Sequence, residues 1–213
     1  MESENDERAF VEYFNEIAKR IKEQGAEVKH WYKEITFNDA LKKIKANLEI
    51  IYKKLQMGTG KKLDIRRFLY YSIAYLQLTN GLRSSEAIKG LQLFLKKKEK
   101  VLKIIAGKSK LERLIIIPPL LFEYYDELKK YSDILDKINK KNYYSFIREN
   151  LGVNPHSFRY AFIDYMLSKG LTPEELVVFM GYSSFKHMIN YYRIASAKDK
   201  IIQRIREAIW ENY

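Results

Sequence analysis

The chain of 213 residues lacks cysteine, contains only four prolines and nine glycines, and has no long uninterrupted apolar run. The absence of cysteine excludes disulfide bonds, zinc–thiolate sites and thiol nucleophiles. A transmembrane helix would need about 20 consecutive apolar residues, so the sequence predicts no membrane association. The acidic first residues do not have the pattern of a signal peptide. We therefore expect an intracellular protein that is cytoplasmic in its host cell.

Positive charge is what the chain has in excess. Its 39 Lys and Arg residues against 27 Asp and Glu residues give a formal net charge of +12. A basic surface concentrates polyanions around a protein, and nucleic acid is the most common partner of that kind. The alternative is that the lysines only keep the protein soluble. A hydrophobic content of 46% is typical of a globular protein with a real core.

Apolar residues recur at helical spacing along most of the sequence, which predicts a mainly α fold of the α+β class. Helices are expected at about 9–22, 36–55, 65–79, 84–91, 120–131, 143–150, 155–169, 172–180, 184–194 and 199–211. Thr36 or Asn38 is the expected N-cap of the second of these. Clusters of β-branched and apolar residues predict short strands at about 94–95, 101–106 and 113–117. The result is one small sheet within a helical body.

The clearest linker is Met57-Gly-Thr-Gly-Lys-Lys62, which places two glycines beside lysines. We expect a domain boundary there. Residues 1–56 would form a helical N-terminal segment, and residues 57–213 would form the main domain.

Two short motifs in the main domain carry an arginine. The first is Thr79-Asn-Gly-Leu-Arg-Ser-Ser-Glu86, in which Arg83 follows a sharp Asn-Gly turn. The second is His156-Ser-Phe-Arg159, which follows a proline and begins a predicted helix. His156 and Arg159 share one helix face at this spacing and can reach one phosphate. Taken alone, Arg83 and Glu86 could equally be an ordinary surface ion pair.

Two further motifs carry a lysine and a tyrosine. Lys108 lies in Gly107-Lys-Ser-Lys110, the turn between two predicted strands. Met180-Gly-Tyr-Ser-Ser184 is followed, nine residues after Tyr182, by Tyr191. The chain has 17 tyrosines, and most of them must serve packing.

These residue types suit the cleavage of a phosphodiester without a metal ion. Such a reaction needs a nucleophile, neutralisation of the charge on the phosphate oxygens, an acid for the leaving oxygen and a base. Arginine provides a planar fork that binds two phosphate oxygens and remains charged. Lysine can act as the acid, histidine can relay a proton, and a tyrosine phenoxide both attacks and leaves readily.

The order and local sequences of these motifs resemble those of the tyrosine recombinase (integrase) family over roughly residues 60–200. That resemblance implies a mainly α catalytic domain with a small three-stranded antiparallel sheet. It assigns catalytic roles to a set of six residues and names Tyr191 as the nucleophile: Arg83, Lys108, His156, Arg159, Tyr182 and Tyr191. Glu86 would support the site, and Lys110 and Arg113 would bind DNA. Position 182 holds Tyr where the family usually has His or Trp.

The function implied by this resemblance is that of a viral or plasmid site-specific recombinase. It would cut and rejoin DNA through a 3′-phosphotyrosyl intermediate without metal, ATP or any cofactor. Its partners would be double-stranded attachment sites and further copies of itself, forming a dimer to tetramer on DNA and a monomer or weak oligomer in solution. The apolar stripe of the predicted helix at 199–211 would dock either on a neighbouring copy or on its own domain.

Two alternatives stay open at this point. A type IB topoisomerase uses a similar set of residues, although the Gly-Tyr-Ser-Ser motif and the chain length disfavour it. A non-catalytic basic DNA-binding protein with a vestigial site is the other.

Overall fold

The computed structural model describes residues 35–105 and 111–181, all of which fall within one compact unit. This part of the chain is mainly helical and carries one small antiparallel sheet. The helices are α1 (Phe37–Gln56), α2 (Lys62–Asn80), α3 (Ser84–Lys97), α4 (Pro119–Glu123), α5 (Tyr125–Lys130), α6 (Ser132–Asp136), α7 (Lys140–Leu151), α8 (Ser157–Ser168) and α9 (Pro173–Phe179). The strands are β1 (Val101–Ile105) and β2 (Glu112–Ile116).

Local sequence signals set several helix ends where they were expected. Thr36 is the N-cap of α1, and its hydroxyl oxygen accepts a hydrogen bond of 3.2 Å from the backbone amide of Asp39. Gly81 ends α2 in the left-handed conformation, with φ of 57°. Thr172 and Glu175 form a reciprocal capping box at the start of α9. The expected helices at 184–194 and 199–211 lie outside the described residues.

The prediction of a strand at 94–95 is wrong, because these residues belong to the last turns of α3. Ile88, Leu91, Phe94 and Leu95 are all buried. Their spacing of three and four residues forms one face of a continuous helix, whereas a strand would bury alternate residues. The helix expected at 120–131 also differs, since α4, α5 and α6 are separated by the non-helical backbone of Tyr124 and Tyr131.

In the described residues the sheet consists of β1 and β2, paired so that Leu102 faces Ile115 and Ile104 faces Arg113. Its inner face packs Leu102 and Ile115 into the core. Arg113 occupies the same inner face although it is charged. A third strand is therefore not found in this part of the chain, and the buried arginine needs a partner.

Helix α2 runs through the middle of the core and is buried on most of its sides. Helix α1 packs on it, with the ring of Tyr52 stacked 6.1 Å from that of Phe68. Phe37 of α1 also stacks on Tyr165 of α8, at 4.1 Å between ring centroids. The glycine-containing turn after α1 thus joins two helices that share one core. A division into domains at this turn stays a prediction.

The described helices include none with the length and apolar character that a bilayer-spanning segment requires.

Candidate active site

The site is organised around the turn between α2 and α3. Gly81 reverses the chain in the left-handed conformation, and Leu82 is fully buried behind it. Arg83 then takes the N-cap position of α3, where its backbone amide donates a hydrogen bond of 2.9 Å to the carboxylate of Glu86. The local Asn-Gly-Leu-Arg-Ser-Ser-Glu sequence therefore places an arginine and its acidic partner at one helix start.

The carboxylate of Glu86 is the centre of a buried cluster. Glu86 is 2% exposed. It accepts a hydrogen bond of 2.7 Å from Nη1 of Arg83 and one of 3.3 Å from Nη1 of Arg113. Nη1 of Arg159 lies 3.9 Å from the same carboxylate. One acidic side chain thus holds together three arginines from α3, β2 and α8.

The pKa of Glu86 reports this environment. Burial by itself would raise that pKa, because a charged carboxylate loses hydration. The hydrogen bonds from the backbone and side chain of Arg83, together with the charges of Arg113 and Arg159, outweigh burial and lower the pKa of Glu86 below its ordinary value. The group is therefore a carboxylate at neutral pH.

Two of the arginines are held by backbone carbonyl groups near the same turn. Nη2 of Arg113 donates a hydrogen bond of 2.8 Å to the carbonyl of Asn80, and its guanidinium lies 5.5 Å from the ring centroid of Phe179. Nη1 of Arg159 donates one of 2.7 Å to the carbonyl of Gly81. Both side chains are buried, whereas that of Arg83 is 22% exposed. Arg83 is therefore the arginine of this cluster that reaches solvent most readily.

His156 lies at the N-cap of α8, one turn before Arg159. Its backbone amide donates to the side-chain oxygen of Asn154 at 2.9 Å, and its ring meets that of Tyr160 edge-on at 5.3 Å. Helix α2 holds the segment before α8 in place through Gln77, whose side-chain amide nitrogen donates a hydrogen bond of 2.9 Å to the carbonyl of Pro155.

Gln77 and Asn80 support the candidate site through contacts that the sequence did not indicate. Gln77 is fully buried and accepts a hydrogen bond of 2.6 Å from the hydroxyl of Tyr143. The side chain of Asn80 mimics a strand edge: it accepts from the amide of Ile116 at 2.8 Å and donates to the carbonyl of Ile116 at 2.9 Å. Nothing local signals either contact, since Asn before Gly is typical of any turn.

The structure brings together Arg83, Glu86 and Arg159 of the predicted site, and it places His156 at the N-cap of α8, three residues before Arg159. Arg113, which we expected to bind DNA, is instead buried against Glu86, and its contact with DNA stays a prediction. Four other predicted site residues lie outside the described residues: Lys108, Lys110, Tyr182 and Tyr191.

The cluster has the chemistry of an anion-binding site. Its three guanidinium groups lie around the single carboxylate of Glu86. Guanidinium groups held by backbone carbonyls and a carboxylate have little freedom to reorganise, which favours the binding of developing negative charge. Arginine forks match the paired oxygens of a phosphate.

Comparison with known proteins gives two relatives, while no protein-family model matches the chain. The chain is 30% identical over 134 residues to "Putative integrase ORF241" of Acidianus two-tailed virus, covering 60% of this chain and 53% of the viral protein. It is 25% identical over 199 residues to "Putative integrase V10" of Sputnik virophage, covering 80% of this chain and 88% of that protein. The match thus spans about half the length of the first relative. The chain is similar to viral proteins that carry the name integrase.

Proposed function

We propose that this protein is a DNA integrase of the tyrosine recombinase type, which cuts and rejoins DNA through a 3′-phosphotyrosyl intermediate. The reaction would need no metal ion, ATP or other cofactor. The names of the two viral relatives support DNA integration in general. The tyrosine mechanism is supported by the motifs and by the arginine cluster.

The observation that carries the proposal is the convergence on Glu86 of arginines from three distant parts of the chain. Arg83, Arg113 and Arg159 come from the start of α3, from β2 and from α8, and the side chain of Arg83 is 22% exposed. Several guanidinium groups held close together favour the binding of an anion between them. A phosphodiester is the anion that suits two guanidinium forks.

In the proposed reaction, Arg83 and Arg159 neutralise the non-bridging oxygens of the scissile phosphate. The phenolic oxygen of Tyr191 attacks the phosphorus, a bond forms between tyrosine and the 3′-phosphate, and the bond from phosphorus to the 5′-oxygen breaks. The phenol gives up its proton to a base, and Lys108 supplies one to the leaving 5′-oxygen. Rejoining reverses these steps with a 5′-hydroxyl as the nucleophile.

His156 and Tyr182 complete the site in this proposal. Both can donate a hydrogen bond to a phosphate oxygen, and His156 can also relay a proton. Glu86 does not react; it positions the arginines. Lys110 would bind DNA, and Arg113 would add positive charge near the phosphate from its buried position beside Glu86.

The net charge of +12 suits double-stranded attachment sites as the partner. Recombination needs several active sites at once, so the protein would be monomeric or weakly associated in solution and would assemble into a dimer to tetramer on DNA. Residues 57–213 would form the catalytic domain, preceded by the helical segment at 1–56.

A nicked suicide substrate tests this function. Cleavage near the nick releases a short strand and traps the protein on DNA, so the wild type should give a covalent adduct that survives denaturation. Tyr191→Phe should remove the adduct and leave DNA affinity unchanged, while the matched variant Tyr192→Phe should keep both. No adduct from the wild type on its own attachment site would reject the mechanism. Plasmid relaxation without strand exchange would point to a topoisomerase instead.

A further inference from the structure

A second basic site lies at the opposite end of α2 from the arginine cluster. It is a pocket of about 330 Å³ between the start of α2, the end of α6 and the start of α7. Three cationic side chains line it: Lys62, Arg66 and Lys137. Tyr70 and Asn142 also contribute to its wall.

The cations of this pocket are not balanced by acidic groups. Throughout residues 35–105 and 111–181, no carboxylate lines the pocket and none of the three cations forms an ion pair. Lys62 and Arg66 are four residues apart on α2, a spacing at which like charges repel. Lys62 is also the first residue of α2, and the positive end of a helix disfavours a cation. Solvent screens these exposed charges in part, and an anion in the pocket would reduce their remaining repulsion.

The remaining walls are Tyr70, Asn142 and the apolar residues Ile134 and Ile138, which suit the sugar beside a phosphate. The ring of Tyr70 is fixed against Phe146 at 4.8 Å, and it brings an apolar surface and a hydroxyl group to the pocket. Burial raises the pKa of Tyr70 more than the nearby charge of Arg66 lowers it, so the hydroxyl keeps its proton at neutral pH and can donate. Asn142, in the first turn of α7, also lines the pocket.

We infer that this pocket binds a backbone phosphate of DNA other than the scissile one. The 18-residue rise from Lys62 to Asn80 along α2 corresponds to about 27 Å, so one phosphate cannot occupy both sites. In sequence the lining residues are flanked by further cations at Lys61, Arg67, Lys140 and Lys141, and by the acidic Asp64, Asp133 and Asp136. The further cations suit a polymer of phosphates better than a small anion. The inference rests on the proposed function only for its requirement that the protein binds DNA.

The test is the salt dependence of binding to a short labelled duplex of random sequence. Each phosphate that a protein neutralises contributes about 0.9 to the slope of log affinity against log salt. The double variant Arg66→Gln/Lys137→Gln should reduce this slope by about one and weaken binding at low salt. The control Lys43→Gln/Lys54→Gln removes the same charge from exposed positions of α1 outside the pocket and should leave the slope close to that of the wild type.

Equal slopes for the two double variants would overturn the inference. A second assay measures how far inorganic phosphate raises the melting temperature at constant ionic strength. If the variant Arg66→Gln/Lys137→Gln loses this stabilisation but keeps the wild-type slope for DNA, the pocket binds free phosphate and the inference is wrong. Arg66→Gln alone, at an exposed position, should change the slope in the same direction and serves if the double variant does not fold. Adduct formation at saturating DNA should not change, so the slope and the adduct assay separate failure of this site from failure of the proposed function.

Discussion

Nη1 of Arg159 donates a hydrogen bond of 2.7 Å to the carbonyl oxygen of Gly81, a residue 78 positions earlier in the chain. This bond joins the two arginine motifs, because Gly81 belongs to the turn that places Arg83. A planar guanidinium can hold the carbonyl and the nearby Glu86 at once, whereas a lysine ammonium cannot keep the same geometry.

We predict that Arg83 and Arg159 are both required for DNA cleavage but differ in their effect on folding. Alanine at either position should reduce the cleavage rate by roughly 10²-fold or more, as for loss of a preorganised contact to the transition state. Arg159→Ala should also lower the free energy of unfolding by about 3 kcal/mol, since it leaves the carbonyl of Gly81 without this donor and removes a fully buried side chain. Arg83→Ala should cost only about 1 kcal/mol, because its side chain is partly exposed.

Single-turnover cleavage of the suicide substrate and urea unfolding measure these two quantities. Lysine at position 159 should recover little of the cleavage. Near-wild-type cleavage by both alanine variants would remove the arginines from the phosphate site.

Glu86→Gln should lower the free energy of unfolding by about 3 kcal/mol at neutral pH, because buried Arg113 and Arg159 lose their counter-charge. Since the pKa of Glu86 is lowered in the folded protein, its stabilising effect is present above the unfolded value of 4.5 and is lost as pH falls through the lower folded value. The difference in unfolding free energy between wild type and variant should therefore shrink below about pH 4. A difference that stays constant down to pH 3 would show that the carboxylate charge is not what stabilises the cluster.

Gly81→Ala should be more destabilising than Gly152→Ala. Both glycines have positive φ, 57° and 72°, so alanine is strained at either position. A Cβ at position 81 would also meet the ring of Phe162 at 2.5 Å, whereas nothing lies within 4 Å at position 152. We expect about 1 kcal/mol from backbone strain at Gly152 and about 1–3 kcal/mol more at Gly81 from overpacking. Equal unfolding free energies for the two variants would mean that the core yields at Phe162 without cost.

Asn80→Ala should weaken the junction between α2 and β2. The variant loses both hydrogen bonds to the backbone of Ile116 and leaves that amide without its side-chain acceptor, at a cost of about 1–3 kcal/mol. Asn47→Ala is the matched control, since its amide only donates to the carbonyl of Lys43 on the surface of α1. Thermal unfolding should separate the two variants, and hydrogen exchange should locate the loss at Ile116. Wild-type exchange at that amide would contradict the assigned contact.

Chelating agents should leave the yield of covalent adduct unchanged, because the proposed chemistry uses only protein side chains. The yield is measured with and without added magnesium after extensive treatment with the chelator. A strict requirement for magnesium in the cleavage step would contradict the tyrosine mechanism.

Prediction from sequence succeeded where the signal is local. The Asn80-Gly81 break, the start of α3 at Ser84 and the cap at Thr36 depend on a few neighbouring residues, and each was expected close to its observed position. The strand predicted at 94–95 failed because two adjacent apolar residues suit either a strand or a helix. Only the packing of α3 on the core distinguishes these alternatives.

The sequence by itself determined the helical body, the sharp turn that places Arg83, and the residue types from which a phosphate site is proposed. Only the tertiary structure decided that Arg113 turns inward and that Glu86 gathers arginines from three elements. It also decided that the side chain of Asn80 joins a helix to a strand. The physical reason is distance along the chain: these contacts link residues 27 to 78 positions apart, and their geometry follows from how the helices and the sheet pack. Hydrophobic periodicity and turn residues predict only the local backbone conformation. They therefore do not predict which distant residue will pair with a buried charge.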